Sequence, residues 1–395
     1  MSAAALDTAP EAPSGSRRLL GPAPVTPLPR LDLPHLISLV EEAGLTGRGG
    51  AGFPTARKLK AVAGHSPVVV GNAMEGEPLS SKDAVLLAHA PHLVVDGLTL
   101  LGKTLKAKRL VLATGPEVPA DAVEAAARGS RVEVLRLQGG FVAGQESALV
   151  NQIQGRPGVP SDPVVPVFRR GVDGRPTLVL NAETLAQLAL LARHGPTWFR
   201  SVGTPRDPGT FLVTLSGSTP GLLQHPGVLE VARGTSLRHV LAAAGTDQQR
   251  AGAVLVGGYH GAWVPPEALD TPLSTEGLAP FGATPGAGVL HVLDRTACPL
   301  ELSATVAGYL AGQSARQCGP CVNGLPRIAQ TLKRLARPGA DAALVAEVDR
   351  LRALVDKRGA CAHPDGTARF VASSLRTFAD HVEDHLEGDC HARAR

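Results

Sequence analysis

Three groups of residues in this 395-residue chain have types and spacings that chemistry uses. All five cysteines lie in the last hundred residues, and three of them form a group, Cys318 and Cys321 as a C-x2-C pair and Cys361 with 39 residues between it and Cys321. A lone C-x2-C pair reads as part of a zinc site or as a redox dithiol. Zinc would want a fourth ligand, for which His363 stands nearby, and a thioredoxin-like dithiol would want a strand-to-helix context that this stretch lacks. The second group is the run Gly47, Arg48, Gly49, Gly50, Ala51, Gly52, Phe53. Four glycines in six positions remove the Cβ atoms that keep a backbone away from a flat or phosphorylated ligand. Arg48, Arg57 and Lys58 add the positive charge that a phosphate would want. The run is not a G-x-G-x-x-G fingerprint and follows a helix, so a tight helix–helix turn is the plain alternative. The third group, Asn72 to Pro78 (NAMEGEP), follows an apolar strand directly, where open α/β sheets bind ligands; its plain alternative is a helix cap plus a turn. Cys298 reads as a small buried apolar residue. Cys390 reads as a tail thiol that, beside His391, would bind metal only adventitiously.

The elements that position these residues alternate. Leu33 to Ala43 carries apolar residues at helical spacing and ends at Gly44, and Pro54 opens a basic helix that Gly64 closes. Strands are expected at 67–71, 109–114, 131–137 and 177–181, with helices at 82–105 (interrupted near Pro91), 120–127, 144–155 and 183–194. That alternation predicts an α/β fold, a Rossmann-like unit with a mainly parallel sheet. From about residue 205, β-branched runs at 210–216, 227–231 and 253–257 with one helix at 236–244 suggest a small β-grasp (ubiquitin-like) domain. The last hundred residues show only helical stretches, 300–310, 324–336, 340–355 and 367–386, a C-terminal helical bundle. The expected division is therefore a disordered tail at 1–30, an α/β domain at 31–205, the β-grasp domain at 206–295 and the helical domain at 296–395.

Composition excludes several classes. With 44% hydrophobic and 19% charged residues, the chain builds real cores and is not dominantly disordered. A net charge of +4, 12 aromatics (8 Phe, 2 Trp, 2 Tyr) and no basic run argue against a nucleic-acid partner. The richest apolar stretch, Leu86 to Leu105, is broken by His89, Asp96 and Lys103, so no membrane insertion is expected. The Ala/Pro/Ser-rich start has no apolar signal-peptide region, and a cytoplasmic protein is expected, or one peripheral to a membrane complex.

GRGGAGFPTARK, NAMEGEP with Lys82-Asp83, GQESAL at 144–149, Asn181-x-Glu183-Thr184-Leu185, Gly257-Gly258, Asp270-Thr271-Pro272 and the cysteine group follow one another in one order. Together, over roughly residues 40 to 380, they resemble the NADH-oxidising flavin (F-type) subunit of respiratory complex I and its relatives in soluble hydrogenases and formate dehydrogenases. The resemblance implies a flavin mononucleotide (FMN) between the Gly-rich loop and the sheet. Gly47, Arg48, Gly49, Gly50, Gly52 and Lys58 would form the loop around it, and Asn72, Glu75, Gly144, Glu146, Asn181 and Thr184 the rest of its shell. Phe53 and Glu77 would meet NADH. It also implies one 4Fe–4S cluster on a C-x2-C-x2-C run plus a distant cysteine. Cys318, Cys321 and Cys361 match three of those positions and Ala315 stands at the first. Three thiols leave open a 3Fe–4S cluster, a 4Fe–4S cluster completed by Gln317, His363, Asp365 or Cys298, or a lost cluster.

The chain departs from the family's pattern at Met74 (usually Asp), Gln145 (Glu), Leu180 (Asn) and Ala61 (an aromatic), and near Pro163 and Pro166, where a Lys-Phe pair is usual. Most of these groups hold the dinucleotide in the family. The implied function is an oxidoreductase subunit of the NADH dehydrogenase type, passing electrons from NAD(P)H through FMN to an iron–sulfur cluster and a partner protein. The alternative is a relay with a degenerate nicotinamide site that exchanges electrons with a ferredoxin-like partner. Other redox subunits or a membrane-bound reductase complex are the partners either reading implies.

Overall fold

Asp32 starts the first helix by accepting the His35 N–H, Pro34 occupies the first turn, and Gly44, with φ of 68°, ends it. The computed structural model, which describes residues 17–22, 26–161, 164–390 and 392, thus places α1 at Leu33–Ala43, as its apolar spacing predicts. The glycine loop and α2 (Thr55–Val62) lead into β1 (Val68–Ala73), and the predicted 82–105 helix divides at Ala90 into α3 (Lys82–His89) and α4 (Pro91–Thr104), bent by 91°. Then come β2 (Arg109–Thr114), α5 (Ala120–Ala127), β3 (Val132–Arg136), α6 (Glu146–Ile153), β4 (Thr177–Asn181) and α7 (Ala182–Arg200). Helix α7 runs past its predicted end, through a break at Gly195-Pro196.

The four strands form a parallel sheet in the order β3-β2-β1-β4. The chain leaves β1 to one side for β2 and β3 and returns to its other side for β4. The strand order therefore reverses between β1 and β4, and the crevice beyond their C-terminal ends is where such sheets hold ligands.

A second sheet follows: β5 (Thr210–Gly217), β6 (Gly227–Ala232), α8 (Leu237–Ala243), β7 (Ala251–Val256), β8 (Ala262–Val264), the short helix α9 (Thr275–Leu278) and β9 (Val289–Asp294), in the order β6-β5-β9-β7-β8. Strands β8 and β9 are not expected from the sequence. β8 has three residues, and β9 (VLHVLD) carries His291 and Asp294, polar groups that the fold buries by bonding them to Ser216 and to Thr219 and Thr296.

Helices α10 (Pro299–Gly312), α11 (Leu325–Leu335), α12 (Ala343–Val355), α13 (His363–Thr377) and α14 (Ala379–Glu387) complete the chain. The single helix predicted at 367–386 is thus two helices. They break at Phe378, whose ring meets the buried Trp263 ring edge-on at 5.1 Å. Trp263 also donates from its backbone N–H to Ser373 and from its indole N–H to Ser374, which ties β8 to α13. Residues 17–22, predicted as part of a disordered tail, pack instead. Leu19 is fully buried, and the N–H groups of Arg18, Leu19 and Leu20 all donate to Glu230 Oε2 on β6. The predicted tail's residues 1–16 and 23–25 lie outside the described residues. No single helix among the described residues is long and apolar enough to cross a membrane.

Helices α4 and α7 cross at Gly97, where an added Cβ would lie 2.3 Å from the Leu185 carbonyl oxygen. Gly97→Ala is expected to cost about 1–3 kcal/mol. Gly308→Ala, at a helical position with open space around it, should gain up to about 1 kcal/mol. Chemical denaturation of both variants checks the contrast.

Candidate functional site

The glycine loop closes on itself through the Gly47 N–H, which donates to the Phe53 carbonyl at 2.9 Å. Gly50 and Gly52 take φ of 114° and 60°, backbone that side chains rarely adopt, and a Cβ at Gly52 would meet no protein atom within 4 Å. The loop forms one wall of a cleft of about 780 Å³ at the switch between β1 and β4. Gly47, Gly49, Gly50, Gly52, Phe53, Lys58, Asn72, Glu75, Glu77, Gly144, Glu146, Asn181 and Thr184 all line it. That volume lies within the roughly 300–1,000 Å³ of sites that enclose a small organic ligand. A glycine wall, an exposed aromatic and a polar floor suit a flat ring with a phosphorylated tail, so the residues fit FMN.

The polar floor is held from beneath. Lys82, buried, reaches Asp83 at 2.7 Å, Glu183 at 3.1 Å and Asn181 Oδ1 at 3.1 Å. Burial alone would lower the Lys82 ammonium, but Asp83 and Glu183 outweigh it and hold it above its usual range. Asn181 caps α7 through the Glu183 N–H and donates to Asn72 O and Asp83 Oδ2, so its side chain is fixed on both sides. Asn72 donates to Gly144 O at 2.8 Å and accepts the Met74 N–H. Glu75 accepts Ser80 Oγ–H and the N–H groups of Asp83 and Ala84 and so caps α3 in place of a local side chain; burial, then Asp83, raises its carboxyl.

Two predicted cationic contributions come out differently. Arg48 is buried and turned away from the cleft, bonded to Thr46 Oγ1 and Pro208 O, and burial lowers it to about 10. What Arg48 gives the site is its N–H to Thr184 Oγ1, which fixes the loop on α7. Lys58 does face the cleft but is paired with Glu146 and donates to Val179 O. Its charge is therefore partly met before any phosphate arrives.

The mouth holds the two residues predicted to meet NADH. Phe53 is 41% exposed, with the Arg57 guanidinium 5.3 Å from its ring centroid. Glu77 accepts the Tyr259 N–H at 2.9 Å, an approach only glycine at Gly258 permits, since a Cβ there would lie 2.4 Å from the carboxylate. Burial pushes Glu77 up to about 7. The opposite wall is not predicted to take part: Phe141, His260 and Arg369 line it with His363. Their only sequence signal is an aromatic and cationic content that the motifs do not cover.

The cysteine loop reaches the same cleft. Cys361 and Ala362 line it, and Cys361 also borders an outer cleft of about 600 Å³ whose rim includes Val165 and Phe168. Cys321 lies in a wider-than-α turn, Pro320–Gly324, that leads into α11, and Cys318 lies in a bend just before that turn. The three thiols influence one another: burial, Cys318 and Cys361 together push Cys321 up to about 12. Burial also raises Cys318, but N–H donors from Ala360 and Cys321 and the Cys321 thiol outweigh it and leave it below its usual value. Arg316 and His363 give N–H groups to Cys321 and Cys361. Neighbouring thiols that each receive backbone N–H groups fit the donor chemistry of an iron–sulfur cluster. Of the predicted fourth ligands, His363 has both ring nitrogens engaged, at 3.1 Å to His260 and 2.8 Å to Leu310 O, and Cys298 stands beside His381 and His385. Asp365 neighbours Cys361.

At the departures the fold has found other uses. Gln145 caps α6 by accepting the Ser147 and Ala148 N–H groups, and Met74 and Leu180 are buried apolar lining. Pro163 lies outside the described residues.

Residues 40–190 match the Nuo51 FMN-binding domain family, and residues 301–385 the NADH-ubiquinone oxidoreductase-F iron–sulfur binding region. The chain is 32% identical to the F-type subunit of NADH-quinone oxidoreductase in Streptomyces coelicolor, over 89% of this chain and 83% of that one. It is 29% identical to the NADP-reducing hydrogenase subunit HndC of Solidesulfovibrio fructosivorans, over 89% and 76%. A crystal structure of an NAD+-reducing NiFe-hydrogenase in the H2-reduced state superposes with a TM-score of 0.79 at 30% identity, covering 90% of this chain and 62% of that chain, less than two thirds of its length.

Because Glu77 is favoured neutral in the fold, its contribution to stability is fully present below its unfolded value near 4.5 and fades as pH rises through about 7. Glu77→Gln cannot titrate. Its unfolding free energy should therefore fall less than the wild type's between about pH 5 and pH 8 in parallel denaturant titrations.

Proposed function

This chain belongs to the family of F-type subunits of NADH-quinone oxidoreductase, and we propose on that premise that it oxidises NADH, binding FMN in the glycine-walled cleft and an iron–sulfur cluster on Cys318, Cys321 and Cys361. One observation carries the reading: Cys361 lines the same cleft as the glycine loop, Asn181 and Phe53. Bound FMN supplies acceptance of a hydride and release of single electrons, which suits a cleft that has a donor's stacking surface at its mouth and metal ligands in its wall.

The chain's own groups do the holding. The glycine loop admits the ring edge, Asn72, Gly144 and Asn181 present fixed polar groups, and Lys58 with Glu146 borders the floor. Phe53 offers a face for the nicotinamide or adenine ring, and Glu77 a carboxyl for ribose hydroxyls. Both keep these positions while Met74, Gln145 and Leu180 have changed, which favours a working dinucleotide site over a relay. We read the three structural blocks as the flavin domain (31–205), a β-grasp domain (206–295) and the iron–sulfur domain (296–395). The relatives named above are subunits, and we assign the exposed Val165 and Phe168, which line the outer cleft with Cys361, to contact with a neighbouring redox subunit.

Anaerobic rapid mixing with NADH tests the reading: flavin absorbance should bleach at micromolar donor, and Phe53→Ala should raise the NADH concentration needed by about fivefold. Flavin that dithionite reduces but NADH does not would refute it. Serine at Cys318, Cys321 or Cys361 should lower iron content and leave flavin content unchanged.

A further inference from the structure

Away from the cleft, four buried side chains at the far end of the helical bundle bring their ligand atoms together. Cys298 Sγ lies 3.6 Å from His381 Nε2 and 3.6 Å from His385 Nε2, Cys390 Sγ lies 3.9 Å from His381 Nε2, and all four atoms fall within 4.8 Å of one another. We propose that Cys298, His381, His385 and Cys390 form a structural site for one divalent cation, zinc by preference.

The distances are those of a single tetrahedral ion. Bonds of about 2.3 Å to sulfur and about 2.0 Å to nitrogen hold an S and an N ligand roughly 3.5 Å apart. A four-iron cube lies between its ligands and spreads them farther than these S···N contacts. His381 and His385 stand four positions apart on α14, so one helix face presents both imidazoles. Cys298 is the N-cap of α10, where its sulfur accepts the Glu301 N–H at 3.4 Å. Behind His381, Asp384 lies 3.8 Å from Nδ1, the carboxylate that commonly orients a ligating imidazole from its far side. Four protein ligands, all buried, leave no position for water or substrate, which marks a structural rather than a catalytic ion. None of the four is among Cys318, Cys321 and Cys361, and Cys298 and Cys390 lie outside residues 301–385, the stretch that matches the iron–sulfur region. The ion would clip the first residue of the bundle to the chain beyond its last helix.

Full-length protein, purified anaerobically, should carry about one zinc per chain by elemental analysis, beside its iron. Cys390→Ser and His385→Asn should lower zinc at least tenfold with iron unchanged, and Cys318→Ser should lower iron with zinc unchanged. His385→Cys, which keeps a four-ligand set, should retain zinc and controls for misfolding. Wild-type protein stripped of zinc should give the visible spectrum of tetrahedral, thiolate-bound cobalt on addition of Co2+. The proposal is overturned by zinc that persists in the Cys390 and His385 variants, by iron lost with them, by a Cys298–Cys390 disulfide in freshly isolated protein, or by the absence of both zinc and a cobalt spectrum.

Discussion

A buried ammonium is the constraint around which the site is built. Lys82 is almost fully removed from water at the foot of the cleft, and an unpaired charge there would cost several kcal/mol. Asp83 and Glu183 neutralise it, which fixes the start of α3 against the start of α7. Glu183 is shared with the second sheet, because its other oxygen accepts the Leu212 N–H on β5. Asn181 and Glu75 are immobilised by the same set of bonds. The cleft's polar groups therefore stand in place as a consequence of charge matching one layer below them, with little freedom left to lose when a ligand enters.

Much of this is legible in the sequence, for physical reasons. α1 shows its cap, its apolar stripe and its terminating glycine within one short run. Strands β1, β2 and β4 read as apolar runs because both their faces are covered, whereas the edge strand β3 carries the exposed Glu133. Strand β9 escapes notice because His291 and Asp294 disguise a fully buried strand whose polar groups are paired inside the fold. The cleft residues are found because their motifs are local. What stays hidden is direction: nothing in the glycine loop says that Arg48 turns inward or that Lys58 already has Glu146. The Cys298–Cys390 constellation is hidden for a similar reason. Its outer ligands are 92 positions apart, and the local part, His381-x3-His385, has a spacing that any solvated helix face can show.

The departures from the family pattern show how a fold absorbs change. Gln145 replaces a carboxylate but still supplies an oxygen to two N–H groups at the start of α6, so the helix end remains satisfied. Met74 and Leu180 turn polar lining into apolar lining without opening a gap, since both are buried. Changes of this kind retune which ligand atoms the cleft rewards while leaving the sheet that carries it undisturbed.

The bond between the Arg18 N–H and Glu230 joins positions 212 residues apart, a separation that has a meaning in time. At a synthesis rate of about 5–20 residues per second, the segment around Leu19 waits on the order of 10–40 s after its own emergence before β6 exists to receive it. Throughout that interval Leu19, destined for the core, stays in contact with solvent or with whatever holds nascent chains. The first sheet can thus form early, while the strap over its outer helices gains its last hydrogen bonds only when the second sheet arrives.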